Sequence, residues 1–230
     1  MIINNTANYT ITSHNENQFI LNLKKGSYEC KTVLYESIVK TLPHSFSFIN
    51  PEKQELHFQA SSTKIHNLLD FLKNNRLSWE QCMLLIGFLS KQIQELEKRG
   101  HSLLGFNLQD ILMIDETVFL FVNNEYLFPI HNTISSYITL IIPFQKPYFS
   151  SPELLQLTKL PSKIHYKSSY YSLASLVVYC LLEEYIFKGN EVKTNTDLEY
   201  ILKPIYSTKM YWFLKRCLVP DPTNRKMLFI

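Results

Sequence analysis

The sequence predicts an α+β chain, a small antiparallel sheet followed by a mostly helical region. Two observations carry this. Over the first sixty or so residues, apolar and polar positions alternate between turn signals, as half-buried strands require. From Thr63 onward the apolar spacing becomes helical, and 46% hydrophobic residues in a chain of 230 supply a sizeable core.

The elements follow in order. Asn8 to Ser13 and Gln18 to Leu23 form strands about the polar loop His14-Asn15-Glu16-Asn17. Tyr28 to Leu34, rich in aromatic and β-branched residues, predicts another strand, and Glu36 to Leu42 a short helix ended by Pro43. Ser45 to Ile49 and Glu55 to Ala60 flank the turn Asn50-Pro51-Glu52-Lys53. Ile65, Leu68, Leu69 and Leu72 lie on one helical face that stops near Asn74-Asn75. The clearest helix begins at Ser78, an N-cap with Gln81 at the capping-box position and Leu77 before it. Met83, Leu84, Ile86, Phe88, Leu89, Ile93 and Leu96 form its apolar face. Lys98 and Arg99 suit its C-terminal dipole, and Gly100 stops it. Ile111 to Ile114 and Val118 to Val122 predict a hairpin about Asp115-Glu116, and Tyr137 to Ile142 a further strand. Tyr170 to Tyr185, Leu198 to Ile205 and Lys209 to Leu218 complete the helices. A junction near residues 60–66 divides the chain into segments 1–63 and 64–230.

Composition excludes several classes. A net charge of +3 without a basic run argues against nucleic-acid binding. Cys30, Cys82, Cys180 and Cys217 are scattered, and His44, His57, His66, His101, His131 and His165 show no metal-ligand spacing; reduced thiols of an intracellular protein are expected. The polar start, Met1 to Tyr9, lacks a signal-peptide pattern, and the longest apolar run, Leu173 to Leu182, is too short to span a bilayer. A soluble, cytoplasmic protein without membrane contact is expected.

Two segments carry a resemblance. Ser151-Pro152-Glu153 and Asp221-Pro222-Thr223-Asn224-Arg225 resemble, in this order, the Ala-Pro-Glu end of a protein kinase activation segment and the late Leu-x-x-Asp-Pro-x-x-Arg element. Ser169-Tyr170-Tyr171-Ser172 resembles the family's D-x-W-S stretch, with Ser169 in place of the Asp that anchors the catalytic loop. The resemblance implies a protein-kinase-like bilobal fold: a reduced N-lobe sheet over 1–63 and a helical C-lobe over 64–230. It also implies a buried pair between Glu153 and Arg225. The chain further resembles divergent kinase-like proteins of large DNA viruses, a setting that implies host cytoplasm or virion.

On that alignment Leu103-Leu104-Gly105-Phe106-Asn107-Leu108-Gln109-Asp110 matches the catalytic loop, and the interval from Gly105 to Asn123 matches the spacing to the D-F-G Asp. Phosphoryl transfer needs positioned charge. Gly105 stands at the base position and has no proton acceptor; losing a general base costs about 10²–10⁴ in rate. Asn123 replaces the metal-binding Asp, and a carboxamide is a weak ligand for a hard cation. Asn107 holds the loop's Lys position. Asp110, at the loop's Asn position, is the remaining metal candidate, and Lys31, ending the predicted strand Tyr28 to Leu34, is the weak nucleotide-pairing candidate. Glu36 follows too closely to be its partner and reads as a solvated helix-start residue. None of the five glycines forms G-x-G, so no phosphate nest is predicted.

The resemblance thus implies a catalytically impaired domain, a pseudokinase, that binds protein partners and requires no cofactor. Two alternatives stay open: a weakly active kinase using ATP with magnesium at Asp110 and Lys31, and a structural interaction protein whose cleft is filled by Leu103, Leu104 and Phe121.

Overall fold

A computed structural model describes residues 1–15, 17–42, 47–60, 64–131, 136–188, 191–192 and 194–228. Alternating burial builds its main sheet from β1 (Ile2–Asn5), β2 (Tyr9–Asn15), β3 (Gln18–Leu23), β4 (Ser47–Asn50) and β5 (Glu55–Gln59). All neighbours run antiparallel in the order β1-β2-β3-β5-β4. Tyr9, Ile11, Phe19, Leu21, Leu23, Leu56 and Phe58 point inward.

Between β3 and β4 lies α1 (Tyr28–Thr41), which corrects the expected strand at Tyr28 to Leu34. Ser27 caps the helix by accepting from the Cys30 N–H, and Glu29 sits in its first turn. The buried face Leu34, Tyr35 and Ile38 then outweighs the weak strand preference of Tyr28, Val33 and Tyr35. Pro43 and His44 lie outside the described residues, as do the start of the expected Ser45 strand and Glu16 of the hairpin loop.

Beyond the sheet, β6 (Ile65–Asn67) precedes the short α2 (Leu68–Leu72), where a single helix was expected. Asn67 divides the two by capping α2, and β6 pairs with a hairpin strand farther along. α3 (Trp79–Lys98) has the predicted capping box between Ser78 and Gln81, and Gly100 ends it at φ +69. β7 (His101–Leu103) and β8 (Gly105–Phe106) follow, then a 3-10 turn at Leu108–Asp110. The predicted hairpin is β9 (Ile111–Ile114) and β10 (Val118–Phe121), with Asp115 and Glu116 both at positive φ in the turn.

β11 (Leu127–Pro129) pairs with β7. β12 (Tyr137–Leu140) is shorter than the expected strand and leaves Ile141 and Ile142 exposed. β13 (Phe149–Ser150) pairs with β8, and α4 (Pro152–Leu155) follows it directly. β14 (Ser162–His165) pairs with β12 and leads into α5 (Ser168–Leu182), buried on most sides and ended by Glu183 at φ 56. A short hairpin precedes α6 (Asn195–Leu202) and α7 (Lys209–Cys217). The core is continuous from Tyr9 to Leu218. Among the described residues no helix is long and apolar enough to cross a membrane. Burial pushes the Cys82 and Cys217 thiols up to about 12.

One buried contact absent from the predicted apolar face joins helices to strands. Gln92 on α3 is 1% exposed, and its amide meets the outer edge of β10: its Nε2 donates to Phe121 O (2.9 Å) and its Oε1 accepts from Phe121 N–H (2.8 Å). Nε2 also reaches Ser37 Oγ on α1 at 3.3 Å. Gln92→Ala is expected to lower stability by about 2–4 kcal/mol, because two buried backbone groups lose their partner. Urea unfolding checks this through a lower midpoint at unchanged slope; a loss under about 1 kcal/mol would contradict it.

Candidate functional site

Three chain segments converge on Asp110. It closes the 3-10 turn after β8, where its N–H donates to Asn107 O (3.0 Å) and its carbonyl accepts from Val122 N–H (2.9 Å). Those bonds set the carboxylate inside, at 0% exposure. Asn8, from the turn before β2, donates to Oδ1 at 2.8 Å. Asn107 and Asn123 each donate to Oδ2 at 3.0 Å.

The orientation of two of these amides is fixed from behind. Asn107 Oδ1 accepts from Tyr148 N–H (2.8 Å), and Asn123 Oδ1 from Glu125 N–H (2.9 Å). Both Nδ2 groups therefore face the acid. Burial pushes the Asp110 carboxyl above its ordinary value of 3.8, and Glu125 adds to that; the three amide bonds pull the other way.

A cavity of about 490 Å³ adjoins this cage. Asn8, Lys25, Asn107, Glu125, Tyr148 and Tyr185 are among its walls; Asp110 itself is not. Lys25 and Glu125 pair on its wall at 2.9 Å, both substantially exposed. Such a pair contributes little to stability, about 0–1 kcal/mol. Asn124 Nδ2 donates to Lys25 O at 2.6 Å and ties the end of β3 to the segment after β10.

Lys31 is not at a strand end. It lies in the first half of α1 and is absent from the cavity wall, which Lys25 reaches. Glu36 is not at a helix start either; it sits in the second half of α1, with Arg99 Nε 2.9 Å from its Oε2. These two groups pair far along the chain, which local spacing does not reveal.

Gly105 is packed against chain. A Cβ built on it would lie 2.4 Å from Phe149 O and 2.6 Å from Pro147 Cγ, so β13 leaves no room for a side chain. Leu103, Leu104 and Phe121 belong to the core, and Phe106 meets Phe121 edge-on with centroids 5.3 Å apart. Behind them buried serines hold the loop. Ser168 and Ser172 stand 3.4 and 3.2 Å from Leu104 O, while Ser169 reaches Tyr166 O at 3.1 Å and Ser102 Oγ at 3.5 Å. Ser172 thus touches the loop backbone at Leu104, and Ser169 does so only through Ser102 and the Tyr166 carbonyl.

The expected structural pair is present. Arg225, 0% exposed, gives a two-pronged contact to Glu153 at 2.6 and 2.9 Å. Its remaining N–H groups meet the carbonyls of Val219, Pro220 and Lys167, and Tyr171 lies under the guanidinium at 4.9 Å. Asp221 caps the preceding turn by accepting from Thr223 N–H at 2.9 Å.

Magnesium nucleotide does not fit these residues. A hard cation takes oxygen donors, whereas Asp110 is met by three N–H groups that occupy both its oxygens. Among the described residues no three His, Cys, Asp or Glu side chains are grouped to hold a metal ion. Glu97, which the sequence does not single out, lies outside the cavity wall; burial pushes it up to about 7, against a bond from the Tyr170 hydroxyl at 3.1 Å. Neither a family model nor a curated protein matches the chain.

Asp110→Asn is expected to keep the cage. Its new Oδ1 can accept from Asn107 and Asn123, and its amide can donate to an Asn8 side chain turned over, since among the described residues no second bond fixes that amide. The variant sheds a buried charge. Because the folded carboxyl titrates above 3.8, the native chain loses stability as pH rises through that window, and Asp110→Asn removes this slope. Asp110→Ala leaves three donors unmet and should cost about 3–5 kcal/mol. Urea midpoints from pH 4 to 8 test both; equal losses in the two variants would contradict the cage.

Proposed function

We propose that the protein is a kinase-like module without phosphoryl-transfer activity, a pseudokinase, that works by binding a protein partner. The observation that carries this reading is Gly105: the position of the catalytic base, on the resemblance, is one where Phe149 O and Pro147 exclude any side chain. Support comes also from the element order, a small antiparallel sheet with one helix inserted and a helical region behind it. The pair of Arg225 with Glu153 supports the alignment of the late elements. In this reading residues 1–63 and 64–230 are the two lobes, and the cavity beside Asp110 is the remnant of the cleft between them. No cofactor is needed for such a role. The cavity favours a module with a pocket over a purely structural protein.

Incubation with γ-labelled ATP and magnesium or manganese is expected to leave the protein and generic substrates unlabelled. Gly105→Asp should not install transfer, and overpacking should lower stability by about 1–3 kcal/mol. Labelling of the native chain that disappears in Asp110→Asn would refute the reading.

A further inference from the structure

The turn that delivers Asn8 is held by bonds that do not involve the cleft. Thr6 Oγ1 accepts from the N–H groups of Asn8 (3.2 Å) and Tyr9 (3.1 Å), and the Thr6 N–H donates to Tyr9 O at 3.0 Å. Lys24 clamps the outside: its N–H donates to Asn8 O (2.9 Å), and its ammonium bonds Thr6 O and Asn5 Oδ1. A turn fixed in this way presents its side chains with little ordering left to lose.

What it presents are two contacts to the loop about a hundred residues away. Asn8 Nδ2 donates to Asp110 Oδ1 at 2.8 Å, and the Tyr9 hydroxyl donates to Gln109 O at 3.2 Å. Asn8 forms part of the cavity wall while Asp110 lies wholly buried behind the cage. Anything entering the cavity therefore meets an amide where it would otherwise meet a carboxylate. Tyr9 is itself 0% exposed, so its ring fills the space between sheet and loop.

We infer that the turn 5–9 is a built-in clasp that covers Asp110 and so keeps it from a metal–nucleotide complex in the cavity. The inference rests on the kinase-like reading of that cleft. It makes the Asn8 contact to Oδ1 one specific cause of the poor fit of magnesium nucleotide.

Thermal unfolding with manganese and β,γ-imido-ATP tests it on the full chain. The native protein should show no shift. Asn8→Ala combined with Tyr9→Phe removes both clasp bonds and should rise by about 3 °C at ligand well above Kd. Thr6→Val, which alters no residue of the cavity wall, should show a smaller rise, and amide exchange at Asp110 and Val122 should quicken in both variants. Should the double variant fail to fold, Thr6→Val decides. A native chain that shifts as much as the variants overturns the clasp, and so do folded variants that do not shift, whatever their exchange. Either failure leaves the non-enzyme reading intact, since Gly105 is unaltered; that reading falls only to labelled phosphate transfer.

Discussion

The carboxylate of Asp110, buried among three carboxamides, is the constraint around which the molecule closes. An anion removed from water needs either a counter-charge or donors that are already oriented. Here Asn107 and Asn123 are held by backbone N–H groups behind them, and Asn8 by a turn of the sheet. The residue type at 123 follows from this. A second carboxylate 3.0 Å from Asp110 Oδ2 would repel it and call for a cation or a shared proton. A carboxamide of the same shape donates, and the site satisfies itself.

Arg225 shows the opposite solution. It too is withdrawn from water, but it keeps its ionic partner and fills its remaining N–H groups with carbonyls. Such a pair adds little over an apolar replacement, yet losing one partner strands a buried charge. It joins the segment after β13 to the residues after α7. Glu153 and Arg225 hold the frame of the helical region, while Gly105, Asn107 and Asn123 stand uncharged where the loop runs.

Where local signals were strong, the sequence was legible. The Ser78–Gln81 capping box, the Asp115-Glu116 turn and the stop at Gly100 each depend on a few neighbouring residues, and each lies where expected. The α+β class followed from the same signals. Tyr28 to Leu34 misled because its aromatic and β-branched residues suit a strand in isolation; the Ser27 cap and the burial of Leu34, Tyr35 and Ile38 decided for helix. The site was half legible. Asp110 and Asn123 were singled out only through the resemblance, and the part played by Asn8 depends on a contact across a hundred residues that no local pattern marks. Lys25 was missed for the same reason: its partner Glu125 is distant in sequence. The short strands β7, β8 and β13 carry no periodicity to read.

The central claim is that Asp110 is a caged anion whose oxygens are already taken. A carbon-13 pH titration of its side-chain carboxyl, with and without magnesium, tests this most directly. The account predicts a midpoint that magnesium does not move, because the three amides already meet both oxygens. A midpoint that falls when magnesium is added would contradict it.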